Sequence, residues 1–207
     1  MKPKKLRNII TKVKTSLEWQ LQQMPGTRDF LQIVSDPDRK RHTVLVPKKD
    51  APDLDFLHEL GHAVLCEKVH PLFSTSVFVL GTPLSQVRAL TPVMTACQDW
   101  FVDGWLRALV QSEFDAEMDR SLAICRDLPD FENRLAMAVM SAQDVYFRKG
   151  RGVDGLAGLS APFLAVPPDK PSAKRLEFLV NRFSVGREMA LKITDAGLWK
   201  TGRPEED

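Results

Sequence analysis

His58 and His62 stand four residues apart, with Glu59 beside the first, in a stretch whose boundaries specify a helix. Asp50-Ala51-Pro52-Asp53 offers a capping acid, an early proline and a further acid, and Pro71 closes the segment, which predicts a helix from Asp53 to Val69. Side chains at i and i+4 share one helical face with their roots about 6 Å apart, so both imidazoles project toward one point. Leu57, Leu60, Val64 and Leu65 surround them with apolar surface. Two polar rings in such a setting need partners from another segment of the chain.

That segment is Cys97-Gln98-Asp99-Trp100-Phe101-Val102-Asp103-Gly104-Trp105-Leu106, in a helix predicted to start at Thr91-Pro92 and to reach about Gln111. It is apolar nearly all round, the pattern of a buried helix. Asp99 and Asp103 share a face with Ala96, Val102, Leu106 and Val110. Burying both carboxylates costs several kcal/mol unless a cation or hydrogen-bond donors meet them.

The sequence His58-Glu59-Leu60-Gly61-His62 is an HExxH motif on its expected helix, and in that setting it reads as a site for one zinc ion (Zn2+). Zinc lowers the pKa of its water to about 7 and polarises a substrate carbonyl, while Glu59 is placed to act as the general base. A catalytic zinc takes three protein ligands and leaves one position open. Asp99 is the candidate third ligand, and Asp103 the residue that orients a ligating histidine, His58; the two aspartates could exchange roles. His70 lies eight residues past His62 beside Pro71 and reads as a surface or capping residue, and nothing marks His42 as a ligand. Tyr146, the one tyrosine of the chain, is a candidate donor to the reacting carbonyl, or else a half-buried packing residue on its helix.

The remaining chain gives an α+β pattern, mostly helical, read as one domain over 1–207. Its parts are an N-terminal helix within 1–24, a metal-binding core over 28–110 and a helical portion over 111–207. The first helix is expected from about Lys5 to Gln23, with strands at Asp29–Val34 and Thr43–Val46 flanking the turn Asp36-Pro37-Asp38, and a possible third strand at Ser74–Leu80. Helices are expected near Phe114–Arg126, Phe131–Arg148 and Ala173–Ile193, with the Gly- and Pro-rich run from Gly150 to Pro171 as a flap or a surface crossing. A net charge of +2 argues against whole-molecule attraction to nucleic acid. Cys66, Cys97 and Cys125 are too sparse for a disulfide framework, the basic start carries no apolar signal core, and no run approaches the roughly 20 apolar residues of a membrane span. These features point to a cytoplasmic protein.

The motif and the later Asp99-Trp-Phe-Val-Asp103 together resemble the zincin metallopeptidases, and among them the gluzincin plan, in which a helix after HExxH carries an acidic ExxxD-like motif. Aspartate stands here in place of the usual glutamate ligand, which requires the two helices to approach more closely. The layout is similar to that of small ImmA/IrrE-like regulatory proteases, although their ExxA signature with a phenylalanine-alanine pair is not reproduced. The resemblance covers about Arg28 to Val110. It implies hydrolysis of peptide bonds in a peptide or protein substrate, bound as an added strand along a sheet edge, either Thr43–Val46 or Ser74–Leu80. Peptide deformylases also use HExxH, with a cysteine ligand upstream of it, but no cysteine precedes Cys66. The alternative of another class is a catalytically silent zincin-fold binding module, docking through the basic N-terminal helix with Lys2, Lys4, Lys5, Arg7, Lys12 and Lys14.

Overall fold

The structure is a computed structural model and describes residues 3–74, 77–124, 131–183, 190–195 and 197–202. It is an α+β fold with a three-stranded sheet and a separate two-stranded sheet. By internal contacts it divides into two units: Met1–Thr75 with Val102–Asp115, and Ser76–Phe101 with Ala116–Asp207. Among the described residues no helix is long and apolar enough to cross a membrane.

In the first unit, helix α1 (Pro3–Ser16) is followed by strand β1 (Gln20–Pro25). The expected single helix to Gln23 is therefore too long. The Glu67 carboxylate takes the backbone N–H groups of Glu18 and Trp19, each at 2.9 Å, where a continuing helix would have used them. Beyond that point the chain pairs in parallel with β3 (Arg41–Val46), Gln20 opposite Arg41 through Pro25 opposite Val46.

Strand β2 (Gln32–Asp36) pairs antiparallel with β3. It begins three residues later than the expected Asp29 and ends two later than Val34. The turn is the expected one: Asp36 Oδ1 accepts from the N–H of Arg39 at 3.1 Å, and Lys40 takes a positive φ of 47°. The strand order is β1-β3-β2, so β3 is central. Thr43–Val46 is thus not an edge, and the described residues of the possible third strand at Ser74–Leu80 include no named strand. Pro71–Phe73 is a turn of 3₁₀ helix, residues 75–76 lie outside the described residues, and Phe78 makes only an isolated bridge to Trp199.

Helix α2 (Asp53–Lys68) carries the two histidines, with Pro52 at its cap position and no side-chain cap. Ala63 meets Leu31, Ile33 and Val44 in a buried cluster flanked by Leu17, Leu21, Val46 and Phe56, which seats the sheet on α2. A buried polar chain adds to this seat. His42 Nε2 donates to Glu67 Oε1 at 2.9 Å, His42 Nδ1 bonds Ser35 Oγ at 2.7 Å, and Trp19 stacks on the His42 ring. Both side chains of the His42–Glu67 pair are at most 1% exposed.

The span α3 (Leu84–Ile124) is two helices joined across a kink, as the two expected helices require, with different outer bounds. It starts before Thr91-Pro92; Pro92 lies inside it, and Thr91 Oγ1 donates to Val87 O at 2.7 Å rather than capping. The break falls at Val110 (φ −140°, ψ 52°), next to the expected end at Gln111.

In the second unit, α4 (Phe131–Arg148) has the expected bounds. The Gly- and Pro-rich run contains α5 (Ala157–Leu164), whose Phe163 is fully buried. Helix α6 (Ala173–Phe183) does not reach Ile193, which belongs to strand β4 (Ala190–Ile193), paired with β5 (Trp199–Gly202). Asn181 stands in for a strand here, exchanging two hydrogen bonds with the backbone of Leu191 at 2.7 and 2.8 Å. Trp100 anchors this unit by donating from Nε1 to Val166 O at 2.8 Å and packing on Phe163.

Two outcomes follow for stability. Glu67→Ala leaves two amides and a buried histidine without their acceptor, and we expect a loss of about 3 kcal/mol in urea unfolding. Burial pushes His42 below its ordinary value of 6.5, against the opposing pull of Glu67. The unfolded chain then binds this proton more readily, so stability falls as pH drops below 6.5. His42→Gln should reduce that slope in unfolding curves taken across the same window.

Candidate metal centre

Helix α2 delivers His58 and His62 one turn apart, with ring centroids 5.0 Å apart and planes at 73°. Each ring is fixed from behind. His58 Nδ1 donates to Asp103 Oδ1 at 2.9 Å, and His62 Nδ1 donates to the carbonyl oxygen of Phe73 at 2.6 Å. A carbonyl oxygen and a carboxylate only accept, so both rings carry a proton on Nδ1, and in the neutral ring the lone pair is then on Nε2. This is the tautomer a metal-ligating histidine needs.

Asp99 lies one turn before Asp103 on the same helix. One ligand atom from each of His58, His62 and Asp99 lies within 4.8 Å of the other two, the spacing of a group that could hold a metal ion. Two imidazoles and one carboxylate form a donor set suited to a divalent transition-metal ion. His62 is buried at 7% exposure, while His58 and Asp99 are half-buried.

Glu59 is turned toward the sheet. Its Oε2 accepts from the backbone N–H of Ile33 at 2.6 Å. Ile33 faces Val44 across the antiparallel pair, and its N–H points away from that partner, so the Glu59 carboxylate lies along the outer edge of β2.

The expected site residues fall into place to different degrees. His58, His62 and Asp99 come together, and Asp103 takes the orienting position on His58. Tyr146 packs its ring edge-on to Trp100 at 5.8 Å and to Phe147 at 5.1 Å. His70 caps the 3₁₀ turn by accepting from Leu72 N–H at 3.3 Å. His42 belongs to the buried network with Glu67. Burial pushes the Cys66 thiol up to about 11 and Cys97 well above its usual range, so neither is a ready thiolate ligand. Cys125 lies outside the described residues. In the basic first helix, Arg7 pairs with Asp53 and Lys14 lies over the Phe56 ring, so part of its charge is spent on α2. Lys2 lies outside the described residues.

Two contributors were invisible beforehand, the Phe73 carbonyl and the Ile33 amide. Both are backbone groups, for which no side-chain type could serve as a signal. Compared with protein-family models, with curated proteins and with solved structures, the chain has no match.

Removing the brace behind His58 tests this geometry. Asp103→Asn should weaken divalent-metal affinity by about 10- to 100-fold in chelator competition while leaving the fold intact by circular dichroism.

Proposed function

We propose that this chain is a zinc-dependent metallopeptidase of gluzincin type. His58, His62 and Asp99 hold one zinc ion and Glu59 serves as general base. The observation that carries the reading is the placement of Glu59. An acid next to a two-histidine, one-aspartate group lies along the outer strand of the described sheet, the kind of edge on which an extended peptide can be laid down.

A zinc ion held there would acidify a water molecule and polarise the scissile carbonyl. Glu59 takes a proton from the attacking water and passes it to the leaving nitrogen, so that water and amide become acid and amine. Asp103 keeps the His58 proton on Nδ1 throughout and offsets part of the positive charge that the ligand shell gathers. The Phe73 carbonyl does the first of these jobs for His62.

Strand β2 supplies the peptide edge in this reading, in place of the two segments expected from the sequence. Backbone groups alternate in direction along an antiparallel strand, so Ile33 and Ser35 point theirs outward. Ile33 uses its N–H to hold Glu59, which supports a general base lying beside a substrate strand added there. A peptide or protein in extended form is the substrate class this edge fits.

Glu59→Gln separates binding from turnover. We expect zinc content equal to wild type and a fall of at least about 100-fold in cleavage of an unstructured protein such as casein. A variant that cleaves as fast as wild type would overturn the assignment of the base.

A further inference from the structure

Gly61 sits between the two histidines, on the side of α2 that meets α3. A Cβ placed there would lie 2.8 Å from Val102 Cγ1 and 2.8 and 2.9 Å from ring carbons Cε3 and Cζ3 of Trp105. These are closer than real Cβ contacts come. Val102 is fully buried, so a side chain at 61 overpacks this contact and favours a wider spacing of the two helices. The contact lies at the level of the site, since Val102 and Trp105 flank Asp103, the partner of His58. Glycine in a helix interior costs about 1 kcal/mol relative to alanine, which makes its position here informative.

An aspartate is one methylene shorter than a glutamate. For Asp99 to place a carboxylate oxygen within reach of the two Nε2 atoms, α3 has to stand close to α2. We propose that Gly61 and Asp99 are a matched pair: the missing side chain at 61 sets the helix spacing, and that spacing selects aspartate over glutamate as the third ligand. Gly61 is accordingly a positioning residue that acts through Val102 and Trp105. This proposal rests on the assignment of His58, His62 and Asp99 as metal ligands.

A double-mutant cycle on the full chain tests it, with zinc affinity read by chelator competition and folding read by circular dichroism. Gly61→Ala should bind zinc at least 10-fold more weakly than wild type, because Asp99 no longer reaches. Asp99→Glu should also lose at least 10-fold, because the longer side chain overfills the narrow gap. Combined, Gly61→Ala with Asp99→Glu should recover to within about threefold of wild type. A purely structural effect of the alanine would not be rescued by lengthening a ligand. Wild-type affinity in Gly61→Ala, or losses in the double variant that simply multiply, would overturn the pairing. Should Gly61→Ala fail to fold, Asp99→Glu decides alone, and full affinity in it overturns the proposal. Failure of the metal assignment itself would look different, with wild type and Asp99→Ala both failing to hold zinc.

Discussion

The candidate centre depends on two imidazole protons being committed before any ion arrives. Asp103 takes one and the Phe73 carbonyl takes the other, at 2.9 and 2.6 Å. Without those acceptors each ring could rotate or shift its proton to Nε2, and each would then present a donor where a ligand is needed. The two braces also differ usefully. The carboxylate adds negative charge behind His58, while the carbonyl behind His62 fixes direction with little charge, in the more deeply buried half of the group.

These braces work only if the surrounding elements are held in register with α2. On the sheet side this is done by the Ala63 cluster and by the buried Glu67 carboxylate. Glu67 gathers the amides of Glu18 and Trp19 and the His42 ring at the far end of the helix from Asp53. On the other side the bare Cα of Gly61 lets Val102 and Trp105 come into contact with α2. The same helix that bears the histidines therefore orders the start of β1, seats β2 and β3, and meets the ring and methyl groups flanking Asp103. The contact of Glu59 with Ile33 then ties the acid to the strand edge through a single hydrogen bond.

Helix periodicity made α2, α4 and the spacing of Asp99 and Asp103 legible, because their polar positions stand out against apolar neighbours at the helical repeat. The need of Asp103 for a partner was legible from the cost of burying a carboxylate, and His58 provides the donor. Other features left weaker traces. Gln20–Gln23 continue the apolar spacing of α1, yet they form β1 because parallel pairing with β3 outweighs a local helical preference. Pro92 read as a first-turn residue, but a helix that has already begun at Leu84 can carry a proline at the cost of one backbone hydrogen bond. Strands β4 and β5 are four residues each and owe part of their order to Asn181 of α6, a contact between distant positions. The edge character of β2 required the strand order, which alternation along a single strand does not encode.

X-ray absorption at the zinc edge of the metal-loaded protein tests the central claim most directly. The account predicts a first shell of nitrogen and oxygen at about 2.0–2.2 Å, with the outer-shell signature of two imidazoles and no sulfur. It further predicts that this two-imidazole signature collapses to one in His62→Ala. A shell containing sulfur near 2.3 Å, or an all-oxygen shell without imidazole, would contradict it.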